Sequence, residues 1–418
     1  MADGRAATPT FTLHPTERFV FQSMVDCNMA EAWVGDTFRI FPGKTGEDPL
    51  WGEARDLKIG DGADADEAFL LPAESFVQAL IPANVPAGTP GLHGAVWFET
   101  VYQDVTDASG RRLYALYHNE NYPETLPYDE ATGAGYRDDN WPPGLGGDGS
   151  RQAVCRIGIM RSDDGGLSWA DHGIILEDLM PRMIVSPINR NNTFPGGVGD
   201  PSAVASGDHL YVFYGEYGYP GVYDEATHDA AVEASAQCIS VARIPLSDLD
   251  SPSGAARRWD GSSFSADPAG IGVPVRSLQI PPEKGGGPVS AGDKRFHWGP
   301  SVSWNTHLEC WVMVMCRVDA GYWVGDSLFI SYNPHRDLGE SDNSQDWSTP
   351  ELLYQRPGRT LWYPALQPLA TPEDVAERRT CMLVDKRARL FFKASNSEES
   401  IYLSDFIIEF DRPADASG

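Results

Sequence analysis

Cysteine is scarce in this sequence, and no cysteines are arranged as a ligand set. Six occur among 418 residues, at Cys27, Cys155, Cys238, Cys310, Cys316 and Cys381. They form no C-x-x-C pair and show no zinc-site spacing. Most lie in apolar, strand-like runs such as "LECWVMVMC", where a buried free thiol is the usual state. The sequence therefore predicts no disulfide framework, no structural zinc and no catalytic cysteine.

Long apolar runs are also missing. The longest are far shorter than the roughly 18 residues that a membrane span needs. The N-terminus, "MADGRAATPTFTLHP", has no basic segment followed by an apolar one, so no signal peptide is recognisable. We therefore expect no membrane association and a cytoplasmic location, or a secreted or periplasmic one if an export signal has been removed.

Basic residues are outnumbered by acidic ones. The chain has 32 Lys and Arg against 60 Asp and Glu, a net charge of −28. A phosphate backbone would be repelled, so nucleic acid is not an expected partner. The acidic residues are spread along the chain, which is typical of a solvated surface. Composition leaves the oligomeric state open.

Strand patterns dominate what is present. Runs such as "AVWFETVYQDV", "HLYVFYG" and "SLFISYN" are rich in β-branched and aromatic residues and are bounded by Gly, Asp, Asn and Pro. Helical periodicity is weak, with short helical turns expected only near "SFVQAL" and "EDVAERR". The sequence predicts an all-β protein.

Several segments repeat. Residues 28–41 align without a gap with 200–213, so that Gly35-Asp36 matches Gly207-Asp208 at a turn, and 299–314 is a looser copy. Repeated four-stranded antiparallel units in a chain of this length favour a propeller. We predict one five-bladed β-propeller domain over residues 1–418, with blades near 19–75, 92–178, 195–275, 296–355 and 361–411.

The motif "SDDGGLSW" (162–169) contains two adjacent acids, Asp163 and Asp164. It resembles the Asp-box, S-x-D-x-G-x-[ST]-W, which sialidases and other propellers carry in an outer hairpin. Its Ser and Asp side chains are expected to bond turn N–H groups, while a glycine takes positive φ. We therefore interpret the pair as architecture. One box without an arginine triad does not fit a sialidase.

Polar and aromatic residues recur where the predicted inner strands begin, which in a propeller is one mouth of the central channel. They are Asp26, Asn28, His93, Asp200, His297, Trp298, Trp362 and Tyr363. Aromatic rings stack on the apolar face of a sugar, and carboxylates bind its hydroxyls and exchange protons with its glycosidic oxygen. This combination predicts a carbohydrate ligand.

The hairpin "GDPSAVASGDHLYVFY" resembles that of the five-bladed propeller glycoside hydrolases, which include arabinanases, arabinofuranosidases, xylosidases and fructosidases. The resemblance extends over residues 110–315 and is closest to a bacterial branch of these families; the terminal units match less well. It implies three carboxylates: a base or nucleophile, a general acid, and one that orients the sugar or tunes the acid.

The resemblance assigns these roles to three residues of this chain. Asp200 is the central carboxylate, although it can also cap the turn before Pro201. Glu120 in "YHNEN" is the general acid, unless it is an ordinary loop residue. Asp26 is the base or nucleophile, but the ungapped alignment with Asp200 lands on Asn28, so Asp26 requires a bulge or a two-residue shift.

Further side chains are assigned to substrate binding. They are His93, His118, Glu216, His297, Trp298, Arg317 and Tyr363, with Glu216 also a reserve acid. Structural alternatives exist. The histidines can be hydrogen-bonded groups at strand ends, the aromatic rings can pack between blades, and Arg317 can form a surface ion pair.

The sequence thus predicts a glycoside hydrolase acting on a furanoside or pyranoside, such as an arabinofuranosyl glycan. Two alternatives stay open: a polysaccharide lyase using His and Tyr, and a carbohydrate-binding propeller without activity. No catalytic metal or other cofactor is expected. A structural calcium ion in the central channel is left open.

Overall fold

Strands, most of them paired antiparallel, are the main regular structure in the part of the chain that the structure describes, as the sequence predicts. The structure is a computed structural model, and it describes residues 8–21, 25–44, 56–83, 92, 94–121, 128–129, 134–135, 154–178, 196–218, 237–270, 272–279, 295–319 and 323–413. No helix in this part of the chain is long and apolar enough to cross a membrane.

The first strand, β1 (Thr10–Phe21), pairs with the last strand of the chain. The first antiparallel group follows, and its strands are β2 (Ala30–Val34), β3 (Thr37–Phe41), β4 (Gly43–Lys44), β5 (Asp56–Gly62) and β6 (Val77–Gln78). They are ordered β2-β3-β5-β4, with β6 also paired to β5.

The second and third groups belong to one continuous sheet. The second contains β7 (Ala95–Gln103), β8 (Leu113–Asn121), β11 (Val154–Ser162) and β12 (Ala170–Leu176), and a short separate hairpin, β9 (Tyr128–Asp129) with β10 (Ala134–Gly135), lies between β8 and β11 in the chain. The third contains β13 (Gly196–Ser206), β14 (His209–Gly218), β15 (Cys238–Pro245), β16 (Arg257–Trp259) and β17 (Phe264–Ala266). Two parallel residue pairs between β11 and β13 join the groups.

The last two groups complete the described chain. The fourth contains β18 (Arg295–Asn305), β19 (Cys310–Asp319), β20 (Ser327–Asn333) and β21 (Glu351–Gln355), with β23 (Leu383–Val384) parallel to the end of β18. The fifth contains β22 (Thr360–Gln367), β24 (Arg387–Ser395) and β25 (Ser400–Asp411), and β1 pairs with β25.

The pairing of β1 with β25 changes one predicted boundary. Thr10 lies opposite Asp411 and Phe21 opposite Tyr402, so residues 19–21 belong to the fifth group and not to the first unit. The strand buries Phe21 against the aromatic core of the fifth group. The partners are nearly a whole chain length apart, and no local signal in the sequence specifies this closure.

Helices in the described residues are short. They are α1 (Ala65–Phe69), α2 (Pro372–Ala376) and single 3₁₀ turns at Ala73–Ser75, Leu246–Asp248, Arg276–Leu278 and Asn343–Gln345. α2 lies in "EDVAERR" as predicted, and a capping box between Thr371 and Asp374 starts it. The helical turn expected near "SFVQAL" is the 3₁₀ turn Ala73–Ser75, which ends on the first residue of this segment, and Val77–Gln78 then pair with β5 as strand β6.

Two hairpins form at the turns that the repeat predicts. Gly35, with φ +61°, begins the two-residue turn between β2 and β3, and Gly207, with φ +56°, begins the turn between β13 and β14. A two-residue hairpin turn favours positive φ, which glycine adopts at little cost.

The "SDDGGLSW" turn has the hydrogen bonds expected of it. Asp164 accepts from the Ser168 N–H at 3.0 Å and from the Ser162 hydroxyl at 2.7 Å. The Trp169 ring packs edge-on between Phe41 and Phe98, which belong to the first and second groups. The turn therefore joins two strand groups, as an architectural element would.

Four inner strands are interrupted by a bulge at corresponding positions. The pairing shifts between Phe98 and Thr100 in β7, Gly199 and Ser202 in β13, Trp298 and Ser301 in β18, and Trp362 and Ala365 in β22. In the last three a proline lies within the bulge, and proline cannot donate to the ladder. The residue before each proline has positive φ: Asp200 (+48°), Gly299 (+59°) and Tyr363 (+49°).

The residues that follow these bulges tie neighbouring groups together. The Thr100 hydroxyl lies 3.3 Å from the Pro201 carbonyl and 3.2 Å from the Ala203 N–H. The Ser202 hydroxyl accepts from the Val302 N–H at 2.9 Å. Hydrogen bonds at the bulges thus link adjacent inner strands. One bulge residue of each strand lies near a common centre.

Candidate active site

The bulge residues of the inner strands meet at this centre. The Asn28 N–H donates to Glu99 at 2.8 Å, and the Asn28 side-chain amide donates to the Pro300 carbonyl at 3.3 Å. Atoms of Glu99, His118 and Asp200 lie within 4.8 Å of one another. Asn28 thus holds the position that the ungapped alignment with Asp200 predicts.

Glu99 is a buried carboxyl at the bulge of β7, with 3% of its surface exposed. One oxygen accepts the Asn28 N–H, and the other has no hydrogen-bond partner among the described residues. Burial, followed by the negative charge of Asp200, raises the pKa of Glu99 well above its ordinary value.

Asp200 is equally buried, with 2% exposed, and is held by two aromatic donors. The Tyr217 hydroxyl donates to its Oδ2, and Trp298 Nε1 donates to the same oxygen at 3.0 Å. Burial raises the pKa of Asp200, although His118 and the two donors oppose the rise. Since the pKa values of Glu99 and Asp200 are both raised, this central carboxyl pair tends to retain a proton.

His118 connects the pair to strand β8. Its Nδ1 accepts the Asp200 N–H at 3.1 Å and lies 3.9 Å from the Asp200 carboxylate. Burial lowers the pKa of the imidazole, so the ring is neutral. With Nδ1 as acceptor, the hydrogen-bond network assigns the proton to Nε2.

Asp26 lies beside the centre and is paired with a cation. Lys393, on β24, donates to its carboxylate, and the ammonium lies 4.8 Å from the centroid of the Trp362 ring. The Asp26 side chain is 23% exposed. Its charge acts on the pKa values of both Glu99 and Asp200, which places it near them although it precedes the aligned Asn28 by two residues.

Glu120 is buried near the end of β8, opposite Ala95 and Cys155. It follows His118 by two residues, so both side chains point to the same face of the strand. Burial raises the pKa of the Cys155 thiol, and the charges of Glu120 and Asp200 raise it further. Glu120 and Asp200 therefore both lie close to this thiol.

Glu216 takes part in a buried ion pair. Arg258, which is fully buried, donates to its carboxylate at 3.0 Å, the Gly272 N–H donates at 2.8 Å, and the Tyr214 hydroxyl at 3.2 Å. These contacts satisfy the carboxylate within the third strand group. They give Glu216 a structural role.

His297 and Arg317 contact each other on β18 and β19. His297 Nδ1 lies 2.6 Å from the Leu278 carbonyl, and Arg317 donates to Nε2 at 3.2 to 3.3 Å. Burial, together with the Arg317 charge, lowers the pKa of His297 to about 3. The Arg317 guanidinium also stacks 4.2 Å from the Phe329 centroid, so both residues fill structural positions.

Trp298 and Tyr363 form an aromatic wall at the centre. Their ring centroids are 5.2 Å apart, and Trp323 and Trp362 extend the wall at 4.8 and 5.8 Å from Trp298. His93 lies outside the described residues.

Sequence reasoning missed three residues of the centre: Glu99, Tyr217 and Lys393. One signal was available for Glu99, which interrupts the apolar run "AVWFETVY" with a carboxyl. Tyr217 ends a strand rich in tyrosine, and Lys393 follows two phenylalanines in "LFFKAS". Neither differs from an ordinary strand residue until its partner is known.

The donor atoms of Glu99, His118 and Asp200 are close enough to surround a cation, but they do not fit calcium. Calcium takes six to eight oxygen ligands, whereas this set supplies two carboxylates and an imidazole. Asp200 Oδ2 and His118 Nδ1 already accept N–H or O–H donors. These donors occupy Asp200 Oδ2 and His118 Nδ1, so the set leaves fewer free ligand atoms than calcium takes.

No family model matches the chain, and no curated protein matches its sequence. Solved structures do match its fold. They include an α-L-arabinofuranosidase from Lactobacillus brevis, at 10% identity over 93% of this chain and 94% of that one, with a TM-score of 0.47. An α-L-arabinanase from Penicillium chrysogenum, complexed with arabinobiose, matches at 9% identity over 95% and 98%, with a TM-score of 0.44.

An exo-β-1,3-galactanase from Phanerochaete chrysosporium matches at 9% identity over 93% of this chain, with a TM-score of 0.44. The chain spans 64% of that protein's length. The likeness concerns the course of the backbone, whereas function depends on the side chains described above.

Proposed function

We propose that the chain is a glycoside hydrolase whose five strand groups are the blades of one propeller. Its active site is the centre formed by Asp26, Glu99, Glu120 and Asp200. The observation that carries the proposal is the central carboxyl pair, Glu99 and Asp200, with His118 within 4.8 Å and the Asp26–Lys393 ion pair beside it.

Hydrolysis of a glycoside requires one carboxyl group that holds a proton and another that does not. The central carboxyl pair is our candidate for the first, because burial raises the pKa of both groups and the charge of Asp200 raises that of Glu99 further. Asp26 is our candidate for the second, because its carboxylate contacts the Lys393 side chain beside the central carboxyl pair.

Asp26 is therefore our candidate base or nucleophile, and the central carboxyl pair is the source of the proton. Glu120 is a second candidate acid, since it lies on the same face of β8 as His118. Tyr217 and Trp298 fix the Asp200 carboxylate through their hydrogen bonds and act as positioning residues.

Trp298 and Tyr363, both buried, bring aromatic rings to the centre, and aromatic rings pack against the apolar face of a sugar. A carbohydrate is thus the proposed substrate, and the comparison with enzymes of arabinan and galactan suggests neutral glycans for the first assays.

A lyase mechanism is less compatible with this centre. A lyase would use a tyrosine or histidine as base, yet burial raises the pKa of Tyr217 well above its usual value. His118 Nδ1 accepts a backbone N–H and is not available as a base. Arg317, which would neutralise a uronate, contacts His297 and Phe329.

Release of reducing sugar from arabinan, galactan, xylan and fructan tests the proposal. We expect turnover of at least one of these glycans, reduced by about 100-fold or more in Asp26→Asn and Asp200→Asn. Asp163→Asn is the matched control, because that exposed carboxylate pairs only with surface arginines. No turnover of any glycan, or equal turnover in all variants, would overturn the proposal.

A non-catalytic sugar-binding propeller gives a separate result. It would bind one of these glycans without releasing any product, and the Asp26→Asn and Asp200→Asn variants would bind as well as the parent protein.

A further inference from the structure

A cavity opens at the other end of the inner strands. Its volume is about 630 Å³, and its lining includes Trp33, Tyr102, Ser206, Trp304, Arg336 and Arg378. Ser206 ends β13, six residues after Asp200, and a strand rises about 3.3 Å per residue. The lining of this distal cavity begins at Val101, two residues after Glu99, and extends to a rim at Ser206 that lies roughly 20 Å from Asp200 along β13.

Aromatic side chains from three strand groups line the distal cavity. Trp33 and Tyr102 come from the first and second groups, and Trp304 comes from the fourth. Trp304 is only partly buried, and its ring packs edge-on against Trp311, with centroids 5.0 Å apart. A partly exposed indole held in a fixed orientation offers a flat face to a ligand ring.

Polar groups lie at the rim beside this indole. Arg336 is exposed, its guanidinium lies 5.9 Å from the Trp304 centroid, and it forms no ion pair with a residue that the structure describes. Asp337 is also exposed and uses one oxygen to accept the Gly339 N–H at 2.8 Å. Adjacent donor and acceptor groups of opposite charge can bind neighbouring hydroxyls of one ligand.

The remaining charged groups of the distal cavity are offset or neutral. Arg378 donates to the Gly35 carbonyl at 2.5 Å and pairs with Asp36 at 3.5 Å. Burial raises the pKa of Glu31 to about 8, so this lining carboxyl is uncharged at neutral pH. The cavity therefore carries no strong net charge that would select an ion.

We propose that the distal cavity is a second carbohydrate-binding site, which takes a neutral sugar with its ring on Trp304 and its hydroxyls on Arg336 and Asp337. The volume lies within the range of small-molecule sites, about 300–1,000 Å³. Such a site would hold a glycan chain at the face opposite the catalytic centre. It does not depend on the proposed hydrolysis.

Binding to an array of neutral and acidic oligosaccharides, in the Asp200→Asn background, tests this site. The neutral probes are derived from arabinan, galactan and xylan, and the acidic ones from polygalacturonate. We expect at least one neutral glycan to be retained, with its affinity reduced tenfold or more by Arg336→Ala and by Trp304→Ala. Arg276→Ala, which removes an exposed arginine outside the cavity, is the control and should bind normally.

The exposed position of Arg336 keeps the test independent of folding if Trp304→Ala is unstable. Equal binding of every neutral glycan by the parent and Arg336→Ala would overturn the proposal, as would retention of acidic glycans alone. In the otherwise unchanged protein, Arg336→Ala should hydrolyse short substrates at the parent rate. A failure of the distal site is therefore distinguishable from a failure of the catalytic one.

Discussion

Glu99 and Asp200 occupy the bulges of two neighbouring inner strands, and their carboxyl groups meet in the buried centre of the protein. The bulge is what makes the meeting possible, because it turns one residue of each strand out of the ladder. Burial raises the pKa of both carboxyls, and the charge of Asp200 raises that of Glu99 further, so the pair is our proposed source of the catalytic proton.

The coupling predicts a shift in the pH profile. Removal of the Asp200 charge lowers the pKa of Glu99, because that charge is the second largest cause of its elevation. The alkaline limb of kcat/KM should therefore move to lower pH in Asp200→Asn, by about one pH unit, in the activity that remains. Asp163→Asn should leave the limb in place, and an unmoved limb in Asp200→Asn would contradict the coupling.

Breaking the Glu216–Arg258 ion pair should lower the free energy of unfolding and leave catalytic turnover intact. Glu216→Gln leaves a fully buried guanidinium without its counter-charge, which costs about 3–5 kcal/mol. Denaturant unfolding should show this loss, while turnover below the unfolding transition remains within a few-fold of the parent. The double variant Glu216→Gln with Arg258→Met should recover part of the stability. Loss of turnover at unchanged stability would make Glu216 the acid.

The two adjacent aspartates of "SDDGGLSW" should behave differently. Asp164→Ala removes the acceptor for Ser162 and for the N–H and hydroxyl of Ser168, at a cost of about 1–3 kcal/mol. Asp163→Ala breaks only exposed ion pairs and should change stability by less than about 0.5 kcal/mol. Urea midpoints of the two variants measure the contrast, and equal midpoints would show that the turn is not an architectural element.

The buried carboxyl of Glu31 should make the free energy of unfolding fall as pH rises. Its pKa is raised from 4.5 to about 8, so the folded state holds this proton more tightly than the unfolded state does. Its contribution is therefore complete below pH 4.5 and is lost progressively as pH rises to about 8. At about 1.4 kcal/mol per unit of difference, the total is at most several kcal/mol.

Glu31→Gln should remove this pH dependence. Unfolding by urea at several pH values between 5 and 8 measures it. Glu351→Gln, at an exposed strand position, is the control and should keep the parent's slope. A slope that persists in Glu31→Gln would assign the effect to another group.

Local patterns predicted much of this fold. The Gly35-Asp36 and Gly207-Asp208 turns carry their own conformational signal, and the alignment through them correctly located Asn28 and Asp200 at one centre. Closure by β1 could not be predicted in this way, because Arg18 meets Asp405 across 387 residues.

The roles of the acids depended on partners that the sequence does not reveal. Asp200 and Glu216 both lie in strands of the third group, yet one faces Tyr217 and Trp298 while the other faces Arg258. Glu99 looked like a polar interruption of an apolar strand. Its place in the site can be recognised only once the bulge between Phe98 and Thr100 is known.

The most direct test of the proposed hydrolysis is mass spectrometry of the products formed in water labelled with heavy oxygen. Arabinan, galactan, xylan and fructan would each be incubated with the parent protein and with Asp200→Asn. The account predicts that products of the parent carry one labelled oxygen at the new reducing end, and that Asp200→Asn forms them at least about 100-fold more slowly. Unlabelled products with a new double bond, or no product from any of the glycans, would contradict it.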